Sequence, residues 1–341
     1  MAAGRWLQTG RQGLATGWVA LALASACSSD APGGLAPDQA GDSRADAAPI
    51  DRTGSLDCGP GWLAAAAAQG KVCAPDWPVW GALPVSPAAP ASHANRDDTY
   101  VAPDTGRMWR VRADAELLTW PAARAACAQE QAGGHRDWHL PTLAELQAVV
   151  DYQRGQPASQ LPLKTVTWYW SASPATDPGR AWGVAMASGL AATATAETAG
   201  IALCVRAVDG PGAAGDAPRF QVDGSGEVVQ DHLTGLTWQR HGNTSGLQPY
   251  DYAQVHCQKL SLQGGGWRTP TVVELASLVD RRRAQPAADA DALPGTKAAP
   301  YWTSTPYAGV ALYAWYVEFS TGSVRFDGDR TYTFAWVRWV R

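Results

Sequence analysis

Over roughly the C-terminal two thirds of the chain, apolar positions fall into the same short patterns twice. Leu143, Leu146, Val149 and Val150 recur at helical spacing, and so do Val272, Leu275, Leu278 and Val279. A Thr-x-x-Glu string precedes each run: Thr142 with Glu145, and Thr271 with Glu274, directly after Pro141 or Pro270. That spacing predicts a capping box, in which the Thr hydroxyl accepts from the N–H three residues on and the Glu reaches back to the Thr N–H. A catalytic Thr/Glu pair would use the same residue types, but no His or metal-ligand set recurs beside both copies, so the caps are read as structural. Another helix is predicted upstream of each, marked by Ala122, Ala125, Ala126 and Gln129 in one place and by Ala253, His256, Cys257 and Leu260 in the other. Polar and apolar residues alternate through YAWYVEFSTGSVRF (313–326), which predicts strands about a turn at Thr321-Gly322. Thr-Gly pairs at 105–106 and 234–235 predict short hairpins ending on Trp109 and Trp238. Two helices plus antiparallel strands in each set predict an α+β class.

The two sets are a duplication with an offset of about 130 residues. TGRMW (105–109) matches TGLTW (234–238), DWHLPTLAELQAVVD matches GWRTPTVVELASLVD, WYWSASP (168–174) matches PYWTSTP (300–306), and Trp182 matches Trp315. Domains are therefore expected at 96–208 and 219–341, with 209–218 as linker. In this register Cys127 matches Cys257, but Cys204 matches Trp339. The first copy can close a Cys127–Cys204 disulfide. The second has no cysteine where the partner would stand, so Cys257 is expected as a buried free thiol that packs like a small hydrophobe.

The N-terminal part has a different pattern. Arg5 and Arg11 precede an apolar run (13–27) that is short for a membrane span and ends in small residues, as signal peptides do. Leu23-Ala24-Ser25-Ala26-Cys27 resembles a bacterial lipobox with Cys27 as the acylated residue, though Ala24 stands where Leu is usual. Residues 28–57 lack large apolar side chains and are expected to be a disordered tether. Cys58 and Cys73 are expected to close a small loop, followed by a Pro-rich linker to residue 95. Export makes disulfides the expected use of cysteine. Ser28 rather than Asp after Cys27 points to the outer membrane or cell surface.

Composition narrows the functional classes. A net charge of −4 gives no basic face for nucleic acid. Seventeen Trp beside four Phe suit cores with polar edges and ligand platforms, and the Trp shared between copies are expected in the core. No phosphate loop, nucleophile elbow or paired Cys-x-x-Cys is present. His135 and His139 have helical zinc spacing, but Gly133-Gly134 and Pro141 oppose a helix there and the second copy has no equivalent. Asp327 and Asp329 flank Gly328, a spacing found in calcium loops and equally in turns; the other ligands of an EF-type loop are missing. No metal or cofactor is expected, with calcium the one left open. Ligand candidates are the C-terminal aromatic and charged residues: Arg325, Asp327, Arg330 and Tyr332, which have no counterpart in the first copy, together with Tyr307 and Trp336. Aromatic faces stack on sugars, and Arg clamps anionic groups.

The strings TGLTW, WRTPT..EL and YWTST, followed by FS.G and VR.VR, resemble the Lcl C-terminal domain (DUF1566) family. The second copy matches over most of 220–341, and the first more loosely over about 98–208. The resemblance implies a C-type-lectin-like fold, two helices packed on short twisted strands, related to formylglycine-generating and sulfatase-modifying domains. It also implies adhesion to extracellular or envelope glycans, sulfated ones included. The catalytic cysteine pair of the enzymatic relatives has no match, so an enzyme is not expected. The reading is an exported, lipid-anchored surface protein with ligand-binding domains. The alternatives are an envelope structural or protein-interaction lipoprotein and, third, a divergent enzyme of the formylglycine-generating type.

Overall fold

The computed structural model describes residues 92–95, 98–102, 105–164, 168–208, 218–242, 245–257 and 260–341. The signal segment, Cys27, the tether, Cys58 and Cys73, and the linker to residue 217 lie outside them.

The first copy opens with β1 (Ser92–Asn95), β2 (Thr99–Ala102) and β3 (Arg107–Arg110), joined antiparallel to its last strand β7 (Cys204–Ala207) in the order β1-β2-β3-β7. Between them come α1 (Trp120–Ala128), α2 (Leu143–Ala148) and the meander β4 (Trp168–Pro174), β5 (Arg180–Ala185) and β6 (Leu190–Thr195). The second copy repeats the plan. It has β8 (Phe220–Val222), β9 (Val228–Asp231), β10 (Leu236–Gln239) and β11 (Gln248–Pro249), then α3 (Tyr250–His256) and α4 (Val272–Ser277). Its meander is β12 (Pro300–Pro306), β13 (Tyr313–Glu318) and β14 (Ser323–Asp329), closed by β15 (Phe334–Ala335) against β11.

Both capping boxes form. Thr142 Oγ1 accepts from Glu145 N at 3.2 Å and Thr271 Oγ1 from Glu274 N at 3.3 Å, while each Glu carboxylate accepts from the Thr N–H at 3.0 or 2.8 Å. The helices they start are short, but all eight apolar positions of the two patterns are buried. The residues that mark α1 lie on its outer face: Ala122, Ala125, Ala126 and Gln129 are exposed, and Ala123 and Cys127 point inward. In WPAARAACA the alanines carry no amphipathic signal, and the Cys127–Cys204 disulfide fixes which side faces the core.

Cys257 is a correction. It is disulfide-bonded, not a free thiol. Cys127 and Cys204 are joined to each other, so its partner lies outside the described residues. Trp339 does stand in the Cys204 position, buried in the same cluster as Cys257. The register reveals only partners that lie within the repeat, and this one does not.

The meanders of the two copies are one antiparallel sheet in the order β12-β13-β14-β6-β5-β4, joined where Val324 of β14 pairs with Ala191 of β6. One core cluster contains Leu146, Val150 and Trp182 of the first copy with Leu275, Val279 and Trp315 of the second. On the other side of the sheet each copy has its own cluster, one around Trp138 and Trp170 and the other around Trp267 and Trp302. The observed class is therefore α+β, dominated by strands, in two tandem copies.

Candidate functional site

The second copy ends in a projection made of two loops. Residues 307–312 connect β12 to β13, and residues 330–333 connect β14 to β15. Backbone bonds tie them together: Tyr313 pairs with Asp329, and Arg330 N donates to Leu312 O at 2.8 Å. Tyr332 N and Thr333 N donate to Asp329 O, and the Asp329 carboxylate accepts from Thr331 N at 2.8 Å. Large apolar groups project into solvent from both loops and the adjoining strand: Val310 at 43 %, Leu312 at 56 %, Tyr332 at 81 % and Phe334 at 52 % exposure. Scattered single apolar residues on a surface need no explanation, but several on two linked loops and the strand beside them make a candidate interaction surface. In the first copy the equivalent β4–β5 loop reads ATDPG (175–179) and has no large apolar side chain.

A bulge in β14 separates the sequence-derived candidates. Tyr316 pairs with Arg325 and Ala314 with Gly328, so both Phe326 and Asp327 stand opposite Trp315. Phe326 turns to the main core, where Tyr307 stacks on it at 4.0 Å and meets the Trp315 edge at 5.6 Å. Tyr307 is thus half-buried packing. Trp336 is also half-buried against the main core, with the Lys297 ammonium 5.7 Å from its ring centre. Arg325 is exposed and pairs across the strands with Tyr316, which packs on the Trp302 cluster. Arg330 lies over the Tyr250 ring at 5.1 Å, and its guanidinium donates to the Ala311 carbonyl, so it clasps the projection to α3. Burial raises the Tyr250 phenol above its usual range, against the Arg330 charge. Of Asp327 only the backbone is described, within β14. The structure therefore groups Arg330 and Tyr332 on the projection, with Arg325 on the adjoining strand, and takes Tyr307 and Trp336 into packing.

Val310, Leu312 and Phe334 were missed as site residues. The available signal was a set of large apolar residues in loops whose first-copy counterparts lack them.

The cap glutamates carry the other notable electrostatics. Glu145 is buried: burial alone would raise its carboxyl, but the His139 hydrogen bond, the Arg107 charge and the Thr142 N–H hold it down to about 2. Arg107 Nε lies 2.9 Å from it and His139 Nε2 3.5 Å. In the second copy Arg268 replaces His139 and grips Glu274 with two bonds, at 2.7 and 2.5 Å. His139 sits on an extended segment bridged to Val205, not on a helix with His135. Among the described residues, no three His, Cys, Asp or Glu side chains converge on a common point.

The sequence model of the Lcl C-terminal domain family matches this chain twice, over residues 99–206 and 227–341. No curated protein matches it.

Proposed function

The chain belongs to the Lcl C-terminal domain family, in two tandem copies, and from that premise we propose that it is a surface binding module whose second copy holds the ligand. The reading rests on one observation: four exposed large apolar side chains on two linked loops and the adjoining strand, with Arg325 and Arg330 beside them. Tyr332 and Phe334 offer flat apolar faces of the kind sugar rings stack on. Arg325 supplies a cation for acidic substituents. Glycan adhesion by C-type-lectin-like copies is the function that fits these groups. The same reading has the chain exported through its N-terminal signal and anchored by a lipid on Cys27, without catalysis.

The test is a polysaccharide array probed with the full chain and with a Y332A/F334A variant. Binding should be retained by the parent and fall at least tenfold in the variant, as expected when aromatic stacking contacts are lost. Capture of a protein partner with no polysaccharide bound would replace the carbohydrate reading with the protein-interaction one. Mass spectrometry of the membrane fraction should find acylated Cys27; an unmodified N-terminus nearby would reject the anchor.

A further inference from the structure

A shallow cleft, open to solvent and with room inside for about one water-sized group, lies in the first copy, far in sequence from the projection. Arg110, Arg112, Leu163, Lys164, Tyr169 and Leu203 line it. The second copy shows what the same place looks like when it is filled. There Arg338 stands in the register position of Leu203, since Trp339 bonds to Gln239 as Cys204 pairs with Arg110. The Arg338 side chain is fully buried, and its guanidinium donates to the carbonyls of Gln239 and Arg240 at 2.6 and 2.5 Å and to Thr296 Oγ1 at 2.9 Å. Thr296 is five residues before Tyr301, as Lys164 is five before Tyr169. The first copy has thus exchanged an interior cation and a Thr for an interior Leu and a cation at the rim.

Three cations stand at the rim. Arg110 lies 3.2 Å from Asp98 and 3.8 Å from Glu130, and Arg112 lies 2.6 Å from Glu130. Asp98 and Glu130 meet the two arginines, and Asp114 and Glu116 flank the lining residue Ala115, so among the described residues Lys164 is the rim cation without a carboxylate bonded to it. Lys164 Nζ donates to Ala115 O at 2.9 Å. An ammonium has three donors, so two remain for a ligand. The enclosed part of the cleft has room for about one water-sized group, so an organic ring cannot enter while a single oxygen can.

We propose that this cleft binds one small oxyanion, of carboxylate or phosphate type, between Lys164 and the Arg112 edge. The anion sits at the mouth over Leu203 and Tyr169, and its oxygens accept from the Lys164 ammonium and the Arg112 guanidinium at the rim.

Amide shifts of the full chain, followed by NMR during titration with sodium phosphate and separately with sodium acetate, test this against sodium chloride at equal ionic strength. Saturable shifts confined to residues 110–115 and 163–164 are expected with at least one oxyanion. Acetate alone would assign a carboxylate, and phosphate alone a phosphate-type group. K164Q should weaken binding about tenfold, the loss of one charged hydrogen bond. The R110Q/L203R double variant rebuilds the second copy's filled arrangement and should abolish saturation. Shifts equal to those in chloride, or saturation unchanged in K164Q with the rest of the spectrum intact, would overturn the site.

Discussion

At the scale of single residues, the two copies solve one problem differently, and the difference titrates. Each copy closes a capping box with a Glu, buried at Glu145 and partly buried at Glu274, but Glu274 has a permanent cation in Arg268 while Glu145 relies partly on His139. His139 is about half exposed, at 49 %; desolvation of its inner edge would lower its pKa, but the Glu145 hydrogen bond and charge outweigh that and raise it above the ordinary 6.5. Its contribution to stability is therefore complete below pH 6.5 and is lost as pH rises through the folded-state pKa. Glu145 has the opposite sign: depressed from 4.5 to about 2, it stabilises above pH 4.5 and loses that contribution as pH falls towards 2, on the order of 3 kcal/mol in all. H139R should copy the second domain and remove the decline above pH 6.5 from urea-denaturation curves. E145Q should flatten the acid limb between pH 4.5 and 2. An alkaline limb unchanged in H139R would exclude His139 as its source.

At the scale of elements, what was legible in the sequence followed from the range of each interaction. A capping box is complete within four residues, so Thr142–Glu145 and Thr271–Glu274 could be read directly and each starts a helix. T142A and T271A should each cost about 1 kcal/mol in urea unfolding, the usual worth of a Thr cap. A loss confined to one variant would mean that the boxes are not equivalent. The face of α1 was not legible because alanine packs either way, although Ala253 in α3 and Cys257 at its C-terminal cap mark the correct side by register. Tyr307 looked available because its stacking partner Phe326 turns inward only through the bulge in β14. Register assigned Cys127 to Cys204 but could not see the bond of Cys257, which is made outside the repeat. Of the candidate site, Arg325, Arg330 and Tyr332 were legible as residues without counterparts; the exposed apolar groups beside them depend on how two loops meet.

At the scale of the molecule, the copies are related as the subunits of a symmetric dimer would be. Ala191 and Val324 occupy equivalent positions and pair with each other, which places a pseudo-twofold axis between β6 and β14. The contacts repeat across it: Tyr152 meets the Trp315 ring edge at 4.8 Å, and its counterpart Arg281 lies 5.6 Å from the Trp182 ring centre. Trp315 Nε1 donates to Tyr152 O at 3.1 Å, and Arg281 Nη2 to Gln147 Oε1 at 2.9 Å. Gly189 and Gly322, at φ +89° and +84°, sit at matching places where a Cβ would come within 2.8 Å of Val150 or Val279. No local pattern announces such a joint, because its sheet contact is a single residue pair. Its energetic consequence is coupling. Separating the copies would expose Trp182, Trp315, Val150 and Val279, all buried in the shared cluster, so neither half has an apolar core that is closed on its own. The full chain should therefore unfold in one calorimetric transition, with equal van't Hoff and calorimetric enthalpies. A191D puts an unpaired charge into the joint and should lower hydrogen-exchange protection of α2 and α4 together. Two separable transitions, or protection lost from α2 alone, would show that the copies are independent domains that merely touch.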